Sequence, residues 1–185
     1  IEWSPDGSRV YYNDTETREV AVFTYQREDG LTDRQVFARI PDQGRPDGLT
    51  VDSEGGVWVA LNGNGEVWRY SPDGTLDEVI EVGARKVTAC TFGGPGLTDL
   101  FITSSRENLP PDAEPQAGSL FVASPGVPGL PTLPFAFGKR EGAERRGFKT
   151  SALILTGHLA AATPHDRRPR SDHLPGPHPE AQCLL

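Results

Sequence analysis

The sequence contains no methionine and only two cysteines among its 185 residues. Because it opens on "IEWSPDG" without an initiating Met, we expect it to be part of a longer polypeptide. Cys90 and Cys183 lie in two different regions and do not support a disulfide framework. We expect Cys90, which sits in an apolar run, to be a reduced, buried thiol. No stretch is long and apolar enough to span a membrane, and we expect no membrane partner and a cytoplasmic location.

Positive charge and histidine are scarce in most of the chain. Residues 1–138 hold ten Lys and Arg against twenty-one Asp and Glu, and no histidine. This acidic balance argues against nucleic acid as a partner. Residues 139–185 reverse it, with eight basic residues, five acidic residues and all four histidines. The composition therefore separates a body, residues 1–137, from an atypical tail, residues 138–185.

The tail has lost the turn spacing of the body and holds a single aromatic residue, Phe148. Its last twenty-odd residues are rich in Pro, Arg and His, a composition that does not favour a packed core, and we expect them to be disordered. A natural extension and an out-of-frame read-through both fit this pattern.

Turn signals ending in an acidic residue and glycine recur along the body. They are "SPDG" (4–7), "REDG" (27–30), "DSEG" (52–55) and "SPDG" (71–74), with spacings of 48 positions from Gly7 to Gly55 and 44 from Gly30 to Gly74. Short aromatic and β-branched runs such as "RVYYND" and "GVWVAL" follow, which indicate strands. "NGNG" (62–65) predicts a hairpin turn. A looser third copy takes its turn and inner strand from residues 93–105 and its second strand from residues 117–126.

Four strands in each repeat of 40–48 residues are typical of propeller blades. A two-sheet sandwich has similar strands but no fixed period, and no helical periodicity is evident before residue 139. The sequence therefore predicts an all-β fold with about three blades in residues 1–137.

Four segments of the body carry a family resemblance. They are "WSPDGSRVYYNDTETREVAVFTY", "RPDGLTVDSEGGVWVALNGNGEVWRY", "TACTFGGPGLTDLFITSSREN" and "AGSLFVASPGVPGLP". Together they resemble the senescence-marker-protein-30/gluconolactonase family, also called regucalcin-like. The resemblance covers residues 1 to about 137. It implies the C-terminal half of a six-bladed propeller with a metal at the centre of one face.

Asp47 lies between Pro46 and Gly48, where an aspartate alone is usually a turn residue. The resemblance instead implies that Asp47 is a metal ligand at the ring centre and the catalytic residue that orients or deprotonates a water. Because the body has no histidine, oxygen atoms would hold the ion. Oxygen sites suit Ca²⁺, which we expect, with Mg²⁺, Mn²⁺ and Zn²⁺ as alternatives. The resemblance places the other ligands, an Asn and a Glu, outside this sequence.

Other acidic residues have structural interpretations. We expect Asp14, in "YYNDT", to cap a turn, with a site-facing role as the alternative. Asp52 and Glu54 are expected to be turn residues in "VDSEGG".

The resemblance implies a metal-dependent hydrolase that opens a small-molecule lactone, with sugar aldonolactones such as gluconolactone as substrates. Two alternatives remain for this polypeptide. One is a calcium-binding regulatory protein of the regucalcin type without significant catalysis. The other is an inert product of a truncated gene.

Overall fold

Three four-stranded antiparallel sheets contain nearly all the regular structure. The computed structural model describes residues 1–42, 44–132 and 180–184. The strands of the first sheet are β1 (Glu2–Trp3), β2 (Arg9–Asp14), β3 (Glu19–Gln26) and β4 (Gly30–Arg39). The strands of the second sheet are β5 (Arg45–Val51), β6 (Val57–Asn62), β7 (Glu66–Tyr70) and β8 (Leu76–Glu81). The strands of the third sheet are β9 (Val87–Gly93), β10 (Asp99–Ser104), β11 (Leu120–Ala123) and β12 (Gln182–Cys183).

This architecture confirms the prediction of an all-β chain with three propeller blades. Within each sheet the strands pair in chain order, so β1, β5 and β9 are edge strands. The only helical element among the described residues is a 3₁₀ helix, Pro95–Leu97. Among the described residues, no helix has the length and apolar character needed to cross a membrane.

The repeated "SPDG" turns have the same hydrogen bonds at both positions. In each turn the serine hydroxyl two positions earlier donates to Oδ1 of the aspartate, Asp6 or Asp73, at 2.6 Å. The backbone amide two positions later donates to the same oxygen at 3.0 Å. These bonds, the serine bond foremost, lower the pKa of Asp6 to about 2 and also lower the pKa of Asp73. The repeat seen in the sequence is therefore a repeat of turn chemistry.

The second sheet is buried on both faces. Val59 and Leu61 of β6 pack in a cluster with Tyr11 and Val20 of the first sheet. Trp58, from the opposite face of β6, packs in a second cluster with residues of the third sheet. Because successive side chains of a strand point to opposite faces, the apolar residues 57–61 of β6 can fill both interfaces. The two clusters hold the three sheets side by side.

The third sheet differs from its sequence interpretation in one respect. Its first strand is β9, Val87–Gly93, and residues 99–104, which the sequence predicts as the first strand, form the second, β10. In every sheet the turn signal follows the first strand, so the turn at 93–96 marks the start of the second strand. Cys90 of β9 is a free thiol and only 5% exposed, as expected.

Residues 133–179 lie outside the described part of the chain. The proposed boundary near residue 137 and the expected disorder of most of the tail fall there and stay predictions. Residues 180–184 are described, and they depart from the disorder expected for the end of the tail: Cys183 pairs with Phe121 and Gln182 with Val122, as strand β12. Such pairing uses backbone groups, so it needs no apolar pattern.

Candidate functional site

Asp47 lies at one end of the second sheet, which we call the upper end. It is in β5, whose first residue, Arg45, pairs with Asn62 at the end of β6. The upper end of this sheet therefore carries the "NGNG" hairpin turn, with Gly63 and Gly65 at positive φ. The lower end carries the turns that end in an acidic residue and glycine. The candidate site and the repeated turns are thus at opposite ends of the sheets.

A β-bulge in β5 contains Asp47. Pro46 pairs with Leu61 and Leu49 pairs with Val59, so Asp47 and Gly48 together oppose a single residue of β6. Bulges of this kind bend a strand and redirect a side chain. The Asp47 residue is exposed, and its carboxylate is available to a ligand.

Gly48 allows β5 and β9, the first strands of the second and third sheets, to approach closely. A Cβ atom on Gly48 would lie 2.7 Å from Cα of Ala89 and 2.9 Å from the carbonyl oxygen of Thr88. Both atoms belong to the backbone of β9 and cannot rotate away. Glycine is therefore required beside Asp47 because of packing between two sheets.

Two side chains of the first sheet bind the backbone around Asp47. Nδ2 of Asn13 donates to the Asp47 carbonyl oxygen at 2.7 Å. Oγ1 of Thr15 donates to the Pro46 carbonyl oxygen at 2.8 Å. The carboxylate itself receives one long bond, from Nδ2 of Asn62 to Oδ2 at 3.4 Å. The backbone of Asp47 is thus held more firmly than its carboxylate.

The sequence interpretation missed Asn13, Thr15 and Asn62. Asn13 and Thr15 flank Asp14 in "YYNDT", where the sequence interpretation covers Asp14 alone. For Asn62 the sequence predicts a place in a hairpin turn and no role in the site. Their position at the ends of apolar strands is the one signal that could have identified them, since polar side chains there face the end of a sheet.

Asp14 caps the turn that follows β2, as expected. Its Oδ1 accepts bonds from the backbone amides of Glu16 at 3.2 Å and Thr17 at 3.3 Å. The hydrogen bond from the Thr17 amide is the main cause of the lowered pKa of Asp14. Asp14 therefore fixes the turn that presents Thr15 to β5.

The donor chemistry around Asp47 suits a hard cation, but the number of donors is small. A carboxylate and neighbouring amide groups are oxygen donors of the type that Ca²⁺ binds. Within residues 1–42, 44–132 and 180–184, no group of three or more His, Cys, Asp or Glu side chains is arranged to hold a metal ion. Asp47 fits the role of one ligand among several.

An open cavity of about 460 Å³ also lies at the upper end, beside the hairpin turn of the second sheet. Its lining includes Asn64, Glu66, Arg85 and Glu114, and Arg85 pairs with Glu114 at 2.8 Å. Asp47 does not line this cavity. We therefore do not assign the cavity to the candidate site.

Comparisons with known proteins agree with the fold and the motifs. A family model described as "SMP-30/Gluconolactonase/LRE-like region" matches residues 1–106. The chain is 38% identical to L-arabinolactonase of Azospirillum brasilense, covering 74% of this chain and 46% of that protein. It is 32% identical to regucalcin of Sus scrofa, covering 74% of this chain and 48% of that protein.

A solved structure is similar over the same part of the chain. The calcium-binding protein regucalcin from Agrobacterium tumefaciens superimposes with a TM-score of 0.66 and 34% identity. The match covers 70% of this chain and 46% of that one. The chain spans about half the length of the curated relatives it matches.

Proposed function

Because the chain belongs to the SMP-30/gluconolactonase/LRE-like family, we propose that it forms part of a metal-dependent hydrolase of sugar lactones in which Asp47 is a metal ligand. The observation that supports this role is the Asp47 bulge. The exposed carboxylate of Asp47 lies at a bulge in β5, the first strand of the second sheet. Asn13 donates to the carbonyl oxygen of Asp47, and Thr15 donates to the carbonyl oxygen of Pro46. A residue that only closes a turn does not require such support from a neighbouring sheet.

The site would act through Asp47 and its neighbours. A bound divalent cation, Ca²⁺ by preference with Zn²⁺, Mn²⁺ or Mg²⁺ as alternatives, would polarise the lactone carbonyl and lower the pKa of a water. The Asp47 carboxylate would hold the ion and orient the attacking water, and it could accept a proton from that water. Asn62, which donates to Oδ2, would leave Oδ1 free for these contacts.

The proposed substrate is a small-molecule sugar lactone. The name L-arabinolactonase of the Azospirillum brasilense relative supports this class. The acidic body supports a small-molecule partner in preference to nucleic acid, because like charges repel. A cytoplasmic location stays a prediction.

A chimera tests this function. It joins the present chain to the part of Azospirillum brasilense L-arabinolactonase that the chain does not match. We expect lactone hydrolysis, and we expect Asp47→Asn to lower kcat/KM by a factor of hundreds, the usual effect of losing a transition-state contact. Metal affinity should fall in parallel. Asp33→Asn, an exposed residue of β4, is the matched control and should change neither quantity.

The outcome that contradicts the proposal is an Asp47→Asn chimera with normal turnover and normal metal content. Asp47 would then be a turn residue only. We expect the present chain by itself to show neither hydrolysis nor tight metal binding, because one carboxylate does not supply the six to eight oxygen ligands that Ca²⁺ normally takes.

A calcium-binding regulatory protein is the second candidate function. It is favoured by the similarity to the calcium-binding regucalcin structure, at 34% identity. Calcium titration of the chimera beside a panel of sugar lactones separates the two. Hydrolysis that rises with metal occupancy supports the hydrolase, whereas saturable Ca²⁺ binding without turnover of any lactone supports the regulatory protein.

A further inference from the structure

We propose that Asn13 and Thr15 are positioning residues that fix the Pro46–Asp47 backbone and thereby determine the direction of the Asp47 carboxylate. They belong to the first sheet and Asp47 belongs to the second. The consequence for metal binding rests on the function proposed above, but the effect on the Asp47 backbone does not.

The contacts are stronger on the backbone than on the side chain. The bonds to the carbonyl oxygens of Asp47 and Pro46 measure 2.7 and 2.8 Å, within the usual range for hydrogen bonds. Within the described part of the chain, the carboxylate of Asp47 accepts one hydrogen bond, from Asn62, and at 3.4 Å it is weak. A carboxylate with so little support of its own takes its direction from its Cα and Cβ atoms. Hydrogen bonds that fix the Asp47 backbone therefore also determine the direction of its carboxylate.

The bulge makes such support necessary. Asp47 and Gly48 share one opposing residue on β6, so the regular ladder does not hold them as it holds the rest of β5. On one side Gly48 lies against the backbone of Ala89, which limits movement toward the third sheet. On the other side Asn13 and Thr15 hold the two carbonyl groups. The segment is therefore clamped between the first and third sheets.

The two donors are themselves held in place. Asn13 lies near the end of β2, where it pairs with Val20 of β3. Thr15 lies in the turn that Asp14 caps through two backbone amides. Both side chains thus project from a rigid part of the first sheet. A preorganised donor of this kind keeps a ligand in position, which is why outer partners of metal ligands commonly affect metal affinity by 10- to 100-fold.

The first experiment measures the backbone directly in the present chain, without any metal. The variants are Asn13→Ala, Thr15→Val and the double variant, with Thr15→Ser as the conservative variant and Thr32→Val on β4 as the control. We expect the ¹⁵N order parameters of Asp47 and Gly48 to fall from about 0.85 toward about 0.6 in the double variant. Thr15→Ser and Thr32→Val should keep the original values, and the urea midpoint should change little in all of them.

Unchanged order parameters in the double variant would overturn the positioning role. A large drop in the urea midpoint that accompanies the loss of order would also overturn it, because the two side chains would then support the whole first sheet.

The second experiment measures Mn²⁺ affinity by calorimetry, with kcat and KM, in the chimera. The double variant should weaken Mn²⁺ binding by roughly 10-fold and lower kcat more than it raises KM. Thr15→Ser should keep most of the Mn²⁺ affinity that Thr15→Val loses. If the backbone loosens while Mn²⁺ affinity and kcat stay normal, the proposed consequence for the site is wrong. If Asp47→Asn is also silent while the backbone still loosens, the proposed function fails and the positioning of Asp47 stands.

Discussion

Asp47 lies near the start of β5 and Asp52 directly follows its last residue, and the two have opposite environments. Asp52 is fully buried and its carboxylate accepts four hydrogen bonds: two backbone amides of its own turn, the indole of Trp58 and the guanidinium of Arg69. Asp47 is exposed and its carboxylate accepts one weak bond. A saturated carboxylate stabilises the fold, whereas an exposed carboxylate on a fixed backbone keeps lone pairs for a ligand.

Arg69 joins Asp52 to two further carboxylates and an aromatic ring. Arg69, with a side chain 8% exposed, pairs with Asp52 at 2.8 Å, with Glu54 at 3.1 Å and with Asp77, and its guanidinium lies 5.8 Å from the Trp58 ring. Burial lowers the pKa of Arg69, but the hydrogen bonds and charges of Asp52 and Asp77 together outweigh burial, so the pKa of Arg69 is raised. The interpretation of Asp52 as a turn residue is correct but incomplete.

Removal of the Asp52 charge is the strongest way to test the comparison. Asp52→Asn leaves the Arg69 charge buried with fewer partners, and breaking a buried ion pair costs about 3–5 kcal/mol. Urea unfolding of the chain should show this loss. Asp47→Asn should change the free energy of unfolding by less than about 0.5 kcal/mol, as for most surface positions. Equal losses in the two variants would remove the distinction between the two ends.

Substitution of Gly48 tests whether the upper end depends on close packing. Gly48→Ala places a Cβ 2.7 Å from the Ala89 backbone, and overpacking of this type costs about 1–3 kcal/mol. Gly44→Ala is the control, since its nearest contact is a side-chain atom of Asn64 at 3.1 Å. Thermal or urea unfolding should rank Gly48→Ala as the more harmful. The reverse order would mean that β5 and β9 are not in close contact.

Substitution of Tyr70 tests whether the apolar cluster between the first and second sheets is buried. Its hydroxyl is buried without a hydrogen-bond partner in the described part of the chain, and burial raises its pKa from 10.0 to about 12. Because the folded pKa is the higher one, the stabilisation is present below pH 10 and is lost as the pH rises toward 12.

We therefore expect wild type to lose about 1–2 kcal/mol more than Tyr70→Phe between pH 10 and 12, at about 1.4 kcal/mol per unit. Urea unfolding of both proteins across this range measures the difference. Parallel pH profiles would show that Tyr70 ionises freely in the folded chain.

The acidic turns of the lower end should give the smallest effect. Asp6 has a pKa of about 2 instead of 3.8, and that of Asp73 is also lowered. The stabilisation from these carboxylates is present above pH 3.8 and is lost as the pH falls through the folded pKa. The Asp6→Asn, Asp73→Asn double variant should flatten the stability profile between pH 4 and 2. An unchanged slope would show that the exposed turns contribute nothing measurable.

Local chemistry made the strands and the turns predictable. The "SPDG" turns close with serine and backbone bonds that span only two positions, so the same letters give the same turn twice. The "NGNG" hairpin follows from glycines that accept positive φ. The role of Asp47 as a metal ligand came from the family resemblance and stays a prediction. By contrast, β12 was not foreseen, because strand addition depends on an open edge and not on side-chain pattern.

The sequence by itself therefore determined the all-β repeat and the positions of its turns. Tertiary structure alone decided what Asp47 and Asp52 became. Asn13 reaches the Asp47 backbone across 34 positions, and Arg69 reaches Asp52 across 17. Such contacts depend on how the sheets pack and pair, which no local pattern encodes. The Asp52 carboxylate just after β5 is buried and saturated, whereas the Asp47 carboxylate near the start of β5 is exposed, because different neighbours surround the two positions.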